Sequence, residues 1–452
     1  MKRILLSVLV AGLFIFKAQS QNQFEGIRSS NYLGVKSVFF NPANIADNAY
    51  RWDANLFSVN AGVGDYNVSF NLHNLQSKMG NQTDSIMFGS KSKAASAYAG
   101  IDILGPGFMI ALNKKTTFAF TTRARVMANI HDVDGKLINA IQSQNNSNLP
   151  FTLASAGNQS IALNGWTEFG GSLGRVLVEE GNHFLKGGIT LKYLAGFSNG
   201  YIHLNNISGT VNSDVNGNYL TSAGGTVQLG EGGADLTNLK GSSLLQFKGS
   251  GAGADLGVVY EFRRTSATHY KLKFSLALLD IGSIHYHANP NYTAGYTVNV
   301  PNGQKFYLNN LKDSSSISSI KNYLDQSPYF QNISTANGSY GVGLPTTLVG
   351  SADMNVVSKF YLNLDTRLNL HGYNKFASPY YQNNFTLTPR YEGKYFGAYL
   401  PLNINSLTGF NAGVAFRMGP FFLGSGSVLT SLLGTSRQAD FYFGVHIGGL
   451  RK

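Results

Sequence analysis

Three stretches carry residue types that could do chemistry. Gly196-Phe197-Ser198-Asn199-Gly200 has the G-x-S-x-G spacing of a serine nucleophile elbow, which needs a strand, a sharp turn and then a helix. Here it sits where a strand opens into a long loop, in a chain full of Gly and Ser, so a chance match is expected. His285-Tyr286-His287 could set two imidazoles on one strand face, but no neighbouring carboxylate or third His completes a metal site. Gly249-Ser250-Gly251-Ala252-Gly253 lacks the following helix that phosphate binding requires and reads as a flexible strand entrance. No Ser/His/acid set stands out. The expectation is therefore no catalytic residue, no metal and no cofactor, with an outer-membrane hydrolase the weakest of three functional readings.

A larger set is basic: Arg123, Arg125, Lys186, Lys192, Lys271, Lys273, Arg367, Arg390 and Arg417, with Asp255, Glu261, Asp365 and Asp440 as possible partners. Each lies on the polar face of a segment that alternates with period two. Thr116 to Ala128 sets Phe118, Phe120, Ala124 and Val126 against Thr121, Arg123 and Arg125. Tyr270 to Leu278 sets Tyr270, Leu272, Phe274 and Leu276 against Lys271, Lys273 and Ser275. In Phe360 to Leu370, Leu362, Leu364, Leu368 and Leu370 oppose Asn363, Asp365, Arg367 and Asn369. A face that gathers these cations either attracts an anionic head group by focused potential or fills a narrow interior with paired charges.

The elements that must position them are strands. Candidates run roughly 52–72, 97–112, 116–129, 161–178, 183–197, 248–263, 268–280, 344–354, 356–370, 384–392, 394–403, 409–418, 421–429 and 439–450, about fourteen in all. The first two are single strands only if they bend at Gly62-Val63-Gly64 and Gly105-Pro106-Gly107, where bulges are expected. A soluble β-sandwich would alternate too, but the connections separate the alternatives. Links after odd-numbered strands are mostly long (73–96, 130–160, 198–247, 281–343), whereas those after even-numbered strands are tight, such as Asn113-Lys114-Lys115, Asn355, Gly393 and Gly419-Pro420. That parity predicts an all-β fold: a transmembrane outer-membrane antiparallel β-barrel, with long extracellular loops and short periplasmic turns. Its apolar face turns toward outer-membrane lipid and its charges toward the lumen. Trp52, Trp166, Tyr193, Tyr260, Tyr395 and Tyr399 suit interfacial girdles, although some could line the pore instead.

Composition agrees. Charged residues are 13%, against 52 Gly, 24 Tyr and 30 Phe, which is too little charge for a water-facing surface. The net charge of +12 is spread singly along strands rather than in runs, so no nucleic-acid partner is expected. Lys2-Arg3, the apolar stretch Ile4 to Phe16 and Ala18-Gln19-Ser20 form an export signal over 1–20, whose removal is expected to leave a mature protein located in the outer membrane of a Gram-negative bacterium. The absence of Cys argues against a lipoprotein anchor and a disulfide framework.

Between the signal and the barrel (52–452) lies 21–51. Its centre, Ser37-Val38-Phe39-Phe40-Asn41-Pro42-Ala43-Asn44-Ile45-Ala46, resembles the N-terminal signature of the long-chain fatty-acid transporter (FadL-type) and PorV-type outer-membrane barrels. The resemblance implies an N-terminal luminal plug, with Phe39, Phe40, Asn41, Pro42 and Ala43 in the lumen, and a fourteen-strand barrel. The alternative is a periplasmic linker ending in an Asx-Pro turn. Leu387-Thr388-Pro389-Arg390-Tyr391, Ala398-Tyr399-Leu400-Pro401-Leu402, Arg417-Met418-Gly419-Pro420-Phe421 and Asp440-Phe441-Tyr442-Phe443-Gly444 look like a Bacteroidota outer-membrane family of unassigned function, and Leu279-Asp280-Ile281-Gly282 resembles a PorV-type strand end. The chain departs from such barrels in ending Gly448-Gly449-Leu450-Arg451-Lys452, without a terminal aromatic residue. The resemblance implies passive transport of a hydrophobic or amphipathic small molecule or, alternatively, a PorV-like accessory whose extracellular loops bind exported proteins or an outer-membrane complex.

Overall fold

The computed structural model describes residues 23–69, 71, 94–142, 149–233, 246–263, 270–287, 293–312, 314, 316–334, 338–372 and 375–451. The expected export signal (1–20), most of the expected loop 73–96 and the expected tight link Arg264 to Ala267 fall outside these residues. Fourteen antiparallel strands close into a barrel: Tyr50–Asp65 (β1), Ala94–Leu104 with Gly107–Ala111 (β2), Thr116–Asp134 (β3), Gln159–Glu180 (β4), His183–Asp214 (β5), Gly249–Arg263 (β6), Tyr270–His287 (β7), Ser339–Gly343 with Thr347–Val357 (β8), Phe360–Asn369 (β9), Asn384–Glu392 (β10), Phe396–Tyr399 with Leu402–Asn405 (β11), Gly409–Ala412 with Val414–Met418 (β12), Phe421–Ser425 (β13) and Gln438–Leu450 (β14). β14 pairs with β1 from Tyr50↔Leu450 to Phe57↔Val445, with register shifts between Tyr50 and Trp52 and between Asn55 and Phe57, so the last strand closes the barrel without a terminal aromatic residue. Closure leaves no sheet edge facing hydrocarbon, where unpaired backbone groups would be very costly.

The alternation resolves as expected. Leu191, Tyr193, Leu256, Val258, Phe274, Leu276 and Leu364 lie on the outer face, while Thr121, Arg123, Lys192, Asp255 and Arg367 are buried inside. Leu364, in the middle of β9, is 51% exposed, and Phe360 next to the turn is 54% exposed. Leu364→Arg should therefore cost about 2–4 kcal/mol of folding free energy in lipid vesicles, and Phe360→Arg only about 0–1 kcal/mol, because the penalty falls toward the interface. Urea titration of the refolded proteins measures both. Equal losses would place Leu364 away from hydrocarbon.

The structure departs from the sequence expectations in several places, each for a local reason. β1 runs through Gly62-Val63-Gly64 in unbroken register with β2, from Gly62↔Gly100 to Gly64↔Tyr98. It stops at Asp65, whose Oδ1 accepts the Asn67 and Val68 N–H groups and turns the chain. The turn expected at Asn355 lies at Ser358-Lys359, where Ser358 takes φ +49°. A register shift between Tyr270 and Leu272 turns Tyr270 into the lumen rather than onto the apolar face. Trp166 and Tyr399 are 1% exposed and point inward, whereas Trp52, Tyr193 and Tyr395 are on the outer face as a girdle requires.

The long loops carry strands and helices of their own. β5 continues to Asp214 and forms a hairpin with Gly217–Gly233, and the strands Phe151–Ala156, Ala294–Val300 and Phe330–Ser334 extend the same sheet. Helices Gly135–Gln142 (α1), Asn309–Lys312 (α2) and Ile317–Asp325 (α3) cover it. Together they bury an apolar core around Leu137, Ile138, Leu229, Tyr296, Phe306 and Leu324. This is a folded cap. At the far end of the chain, 426–437 leaves the wall as a short helix, Val428–Leu433 (α4), where a longer strand was expected.

Candidate functional site

Residues 23–48 lie against the inner wall. The turn Pro42–Ile45 starts at Asn41, whose Oδ1 accepts the Ala43 N–H at 2.8 Å, and Pro42 takes the first helical position, where its missing N–H costs nothing. The Asx-Pro turn therefore forms, and it forms among the strands. Asn41 Nδ2 donates to the carbonyls of Val258 (3.1 Å) and Leu276 (3.2 Å).

The wall beneath the turn carries no side chains. Gly174 on β4 is directly opposite Gly188 on β5, which is opposite Gly257 on β6. A Cβ on Gly188 would sit 2.3 Å from Ala43 N and Pro42 C, one on Gly257 2.1 Å from Asn41 Oδ1, and one on Gly174 2.6 Å from Ile45 Cγ1. Three glycines in one transverse row make a trough that fits the Asn-Pro-Ala backbone. Ala43 is fully buried, and Phe40 packs edge-on to Phe24 at 6.2 Å. Phe39 is half-buried beneath the Arg123 guanidinium, 5.3 Å from its ring.

Asp53 on β1 holds the next part of the segment. Its Oδ1 accepts the Val35 N–H at 2.7 Å at the start of the 3-10 turn Gly34–Phe39, and its Oδ2 is hydrogen-bonded to His446 Nδ1 at 2.6 Å. Gly34 takes φ +59°, and a Cβ there would strike the Asp53 carboxylate. Lys36 is 1% exposed, its Nζ has no hydrogen-bond acceptor among the described residues, and the Phe422 ring lies 4.9 Å away. Burial pushes this amine down to about 7, opposed only in part by Asp53.

The predicted cations divide into groups. Arg125 binds Glu168 and Asp280, each at 2.9 Å, with Asp102 at 3.4 Å; Arg123 binds Asp102 at 2.6 Å. Lys192 reaches Asp255 and Asp280, each at 2.7 Å, so these three cations share one cluster. Lys186 pairs with Glu261 at 2.6 Å, and Arg390 with Asp353 at 2.8 Å and Glu392 at 3.2 Å. Arg367 donates to Gln23 Oε1 at 3.3 Å. Arg417 caps a turn through the carbonyls of Gly393 and Lys394, over the Tyr32 ring at 4.5 Å. Lys273 lies 5.5 Å from the Tyr270 ring. Lys271 stays apart, at the short-turn end of the wall beside the β8–β9 turn, donating to the carbonyls of Asn355 and Val356.

Sequence reading missed most of the acids. Glu25, Asp53, Asp102, Glu168, Asp280, Asp353 and Glu392 are all buried, and among the described residues buried carboxylates outnumber buried cations. The interior is therefore not a focused positive field. Asp102 and Glu168 were visible as lone acids at alternating positions (IDIL, WTEF), and alternation alone could have placed them inside. Asp280 could not be found that way. It sits at φ +57° in a bulge of β7, which turns Leu279 and Asp280 both inward.

Two cavities flank this core. One of about 490 Å³ lies toward the short-turn end, between the N-terminal segment and β5–β9, lined by Arg28, Asn44, Lys186, Glu261, Lys273 and Asp365 among others. The other, about 120 Å³, lies in the cap and is walled by Ile138, Ile207, Leu229, Val298, Phe306 and Leu324 among others, with almost no polar surface. The remaining motifs lead nowhere. Gly196 to Gly200 is mid-strand in β5, without the turn and helix of an elbow, and Gly249 to Gly253 opens β6. His285 and His287 are exposed, and no group of three metal-ligating side chains occurs among the described residues.

A closed barrel with lipid-type residues outside and ion pairs inside is an outer-membrane β-barrel. Residues 42–426 match the family described as "Family of unknown function (DUF5723)", and the chain belongs to that family. No curated protein matches the sequence. Solved structures similar to it include the toluene transporter TbuX of Ralstonia pickettii (10% identity, 93% of this chain and 94% of that one, TM-score 0.41) and the toluene transporter TodX of Pseudomonas putida (9% identity, 93% and 95%, TM-score 0.33). A Pseudomonas aeruginosa FadL homologue is also similar (10% identity, 91% and 93%, TM-score 0.33).

Proposed function

We propose that the protein is a passive outer-membrane channel for a hydrophobic or amphipathic small molecule, closed in the state described here by residues 21–51 acting as a plug. The observation that carries this reading is the apolar cavity of the cap. A folded cap needs a core, but it does not need an unfilled, almost wholly non-polar space above a barrel. At about 120 Å³ the space is close in size to apolar cavities that take up a single small aromatic molecule, and it suits such a ligand on its way inward. The plug reading is supported by the glycine trough and by the two bonds from Asn41 to strand carbonyls. Phe39, Phe40, Asn41, Pro42 and Ala43 form its contact surface. The paired cations Arg123, Arg125, Lys186, Lys192 and Arg390 hold the wall rather than receive a ligand, and Lys273, which lines the polar cavity without an ion-pair partner among the described residues, is placed to meet an anionic head group there.

Uptake of a radiolabelled long-chain fatty acid and of toluene tests the channel in a Gram-negative host whose own hydrophobic transporters are deleted. Expression of the chain should raise accumulation above the empty vector, and Leu229→Arg, which puts a charge into the cap cavity, should return it to the vector level. Accumulation equal to the vector for both solutes would sink the reading. The filled interior favours a second reading, a PorV-like accessory that binds exported proteins or an outer-membrane complex through its cap. Stoichiometric protein partners recovered in mild detergent, with no solute uptake, would replace the first reading by this one.

A further inference from the structure

The lumen is occupied from the long-loop side as well. Between β9 and β10, residues 376–382 turn inward instead of outward. The Phe376 ring stacks on His203 of β5 at 4.1 Å and an interplanar angle of 3°. Asn199 Nδ2, also on β5, donates to the Ala377 carbonyl at 3.0 Å, and Gly343 N–H on β8 donates to Ser378 Oγ at 2.9 Å. Asn129 on β3 bonds Tyr380 in both directions, its Nδ2 donating to the carbonyl and its Oδ1 accepting the N–H. Strands on three sides of the barrel thus hold one short loop across its interior.

The loop's innermost side chain, Tyr381, meets the first residue of the N-terminal segment that the structure describes. Gln23 Nε2 donates to the Tyr381 hydroxyl and to Asp102 Oδ2, the latter at 2.8 Å. Arg125 also donates to that hydroxyl, and the Arg367 guanidinium covers the Tyr381 ring at 4.6 Å while donating to Gln23 Oε1. Tyr381 and Gln23 are each 9% exposed or less. Every polar atom of the Gln23 side chain is therefore used by the loop or by the cation cluster that the loop covers. A buried amide so fully satisfied is expensive to pull away unless its partners move with it.

We propose that residues 376–382 are a second closure of the lumen, latched to the N-terminal segment through Tyr381 and Gln23, so that displacing the loop from the cap side loosens the segment on the other side. This rests on the plug reading and adds a coupling to it. A solute arriving from the cap would have to move Tyr381, and in doing so would remove an acceptor that anchors Gln23. The coupling is reciprocal: a segment released from the glycine trough would also free the loop.

The chain contains no cysteine, so Ser37→Cys places a single thiol at a buried site in the segment. The experiment measures how fast a small water-soluble maleimide labels it in the full chain, refolded and heat-modifiable in detergent micelles. Tyr381→Ala should raise the labelling rate about tenfold, as expected for the loss of a hydrogen bond in a network of charged groups. Tyr381→Phe, which keeps the ring under Arg367, should give a smaller rise in the same direction. Gln23→Ala should match Tyr381→Ala, and the two together should exceed neither alone. Gly188→Leu, which disturbs the segment's own seat, is the reference. If it speeds labelling while both Tyr381 variants match the parent, the latch is wrong and the plug stands. If Gly188→Leu changes nothing either, the segment is not a displaceable plug, and the latch falls with it.

Discussion

Gly188→Leu is expected to give a barrel that assembles normally and whose N-terminal segment no longer docks. The added Cβ would sit 2.3 Å from two backbone atoms of the Pro42–Ala43 link, so no side-chain rotation relieves the clash. Overpacking of this kind costs roughly 1–3 kcal/mol, and moving the turn also breaks the two Asn41 bonds to strand carbonyls, worth about 0.5–1.5 kcal/mol each. Gly188 is in register with Gly174 and Gly257 and its added Cβ points inward, so the outer face of the wall is unchanged. Limited proteolysis read by mass spectrometry should show cleavage within 23–48 at least ~10-fold faster than in the parent, with the heat-modifiable gel shift retained. In planar bilayers the variant should conduct ions more than the parent does. A parent-like cleavage rate would mean that the trough is incidental and that the segment is held elsewhere.

The second large effect is on stability. Arg125 is fully buried and touches Asp102, Glu168 and Asp280, while Tyr381 and the Trp166 ring complete its surroundings. Arg125→Ala leaves three carboxylates around a vacated space. Breaking a buried pair in this way costs about 3–5 kcal/mol, because the remaining charge has lost both its solvent and its partner. Urea unfolding in lipid vesicles should register that loss. Without Arg125 the cluster holds four carboxylates (Asp102, Glu168, Asp255 and Asp280) against Arg123 and Lys192, so adding Asp280→Asn lowers the excess negative charge, and the double variant should be more stable than Arg125→Ala alone. Lys192 would still neutralise Asp255 in that variant. If Arg125→Ala costs less than about 1 kcal/mol, the value of an exposed pair, water reaches the cluster and the interior is a wet pore.

Much of this protein is decided by short-range rules. The pleat sends successive side chains to opposite faces, so Leu364 and Arg367 were assigned to outside and inside without knowing any neighbour. Loop length alternates because both ends of a hairpin are set within a few residues, and the parity of long and short links counted fourteen strands. Asn41-Pro42-Ala43 likewise carries its own turn, since the Asn cap and the fixed φ of Pro act over three residues.

What tertiary structure alone decided is everything that depends on register. Gly174, Gly188 and Gly257 are unremarkable in sequence and become a trough only when three strands pair in one alignment. Asp280 becomes a shared partner of Arg125 and Lys192 only through a bulge that no local pattern announces. The cap arises because β5 continues past the barrel rim and, together with its hairpin partner Gly217–Gly233, finds strands from two other loops. Loop 376–382 is short enough to look like any surface link, and its inward course depends on Asn129, Asn199 and Gly343, which lie far away in sequence. Face is a property of one strand and is written along it, whereas contact is a property of several strands and exists only once their hydrogen-bond ladders are set.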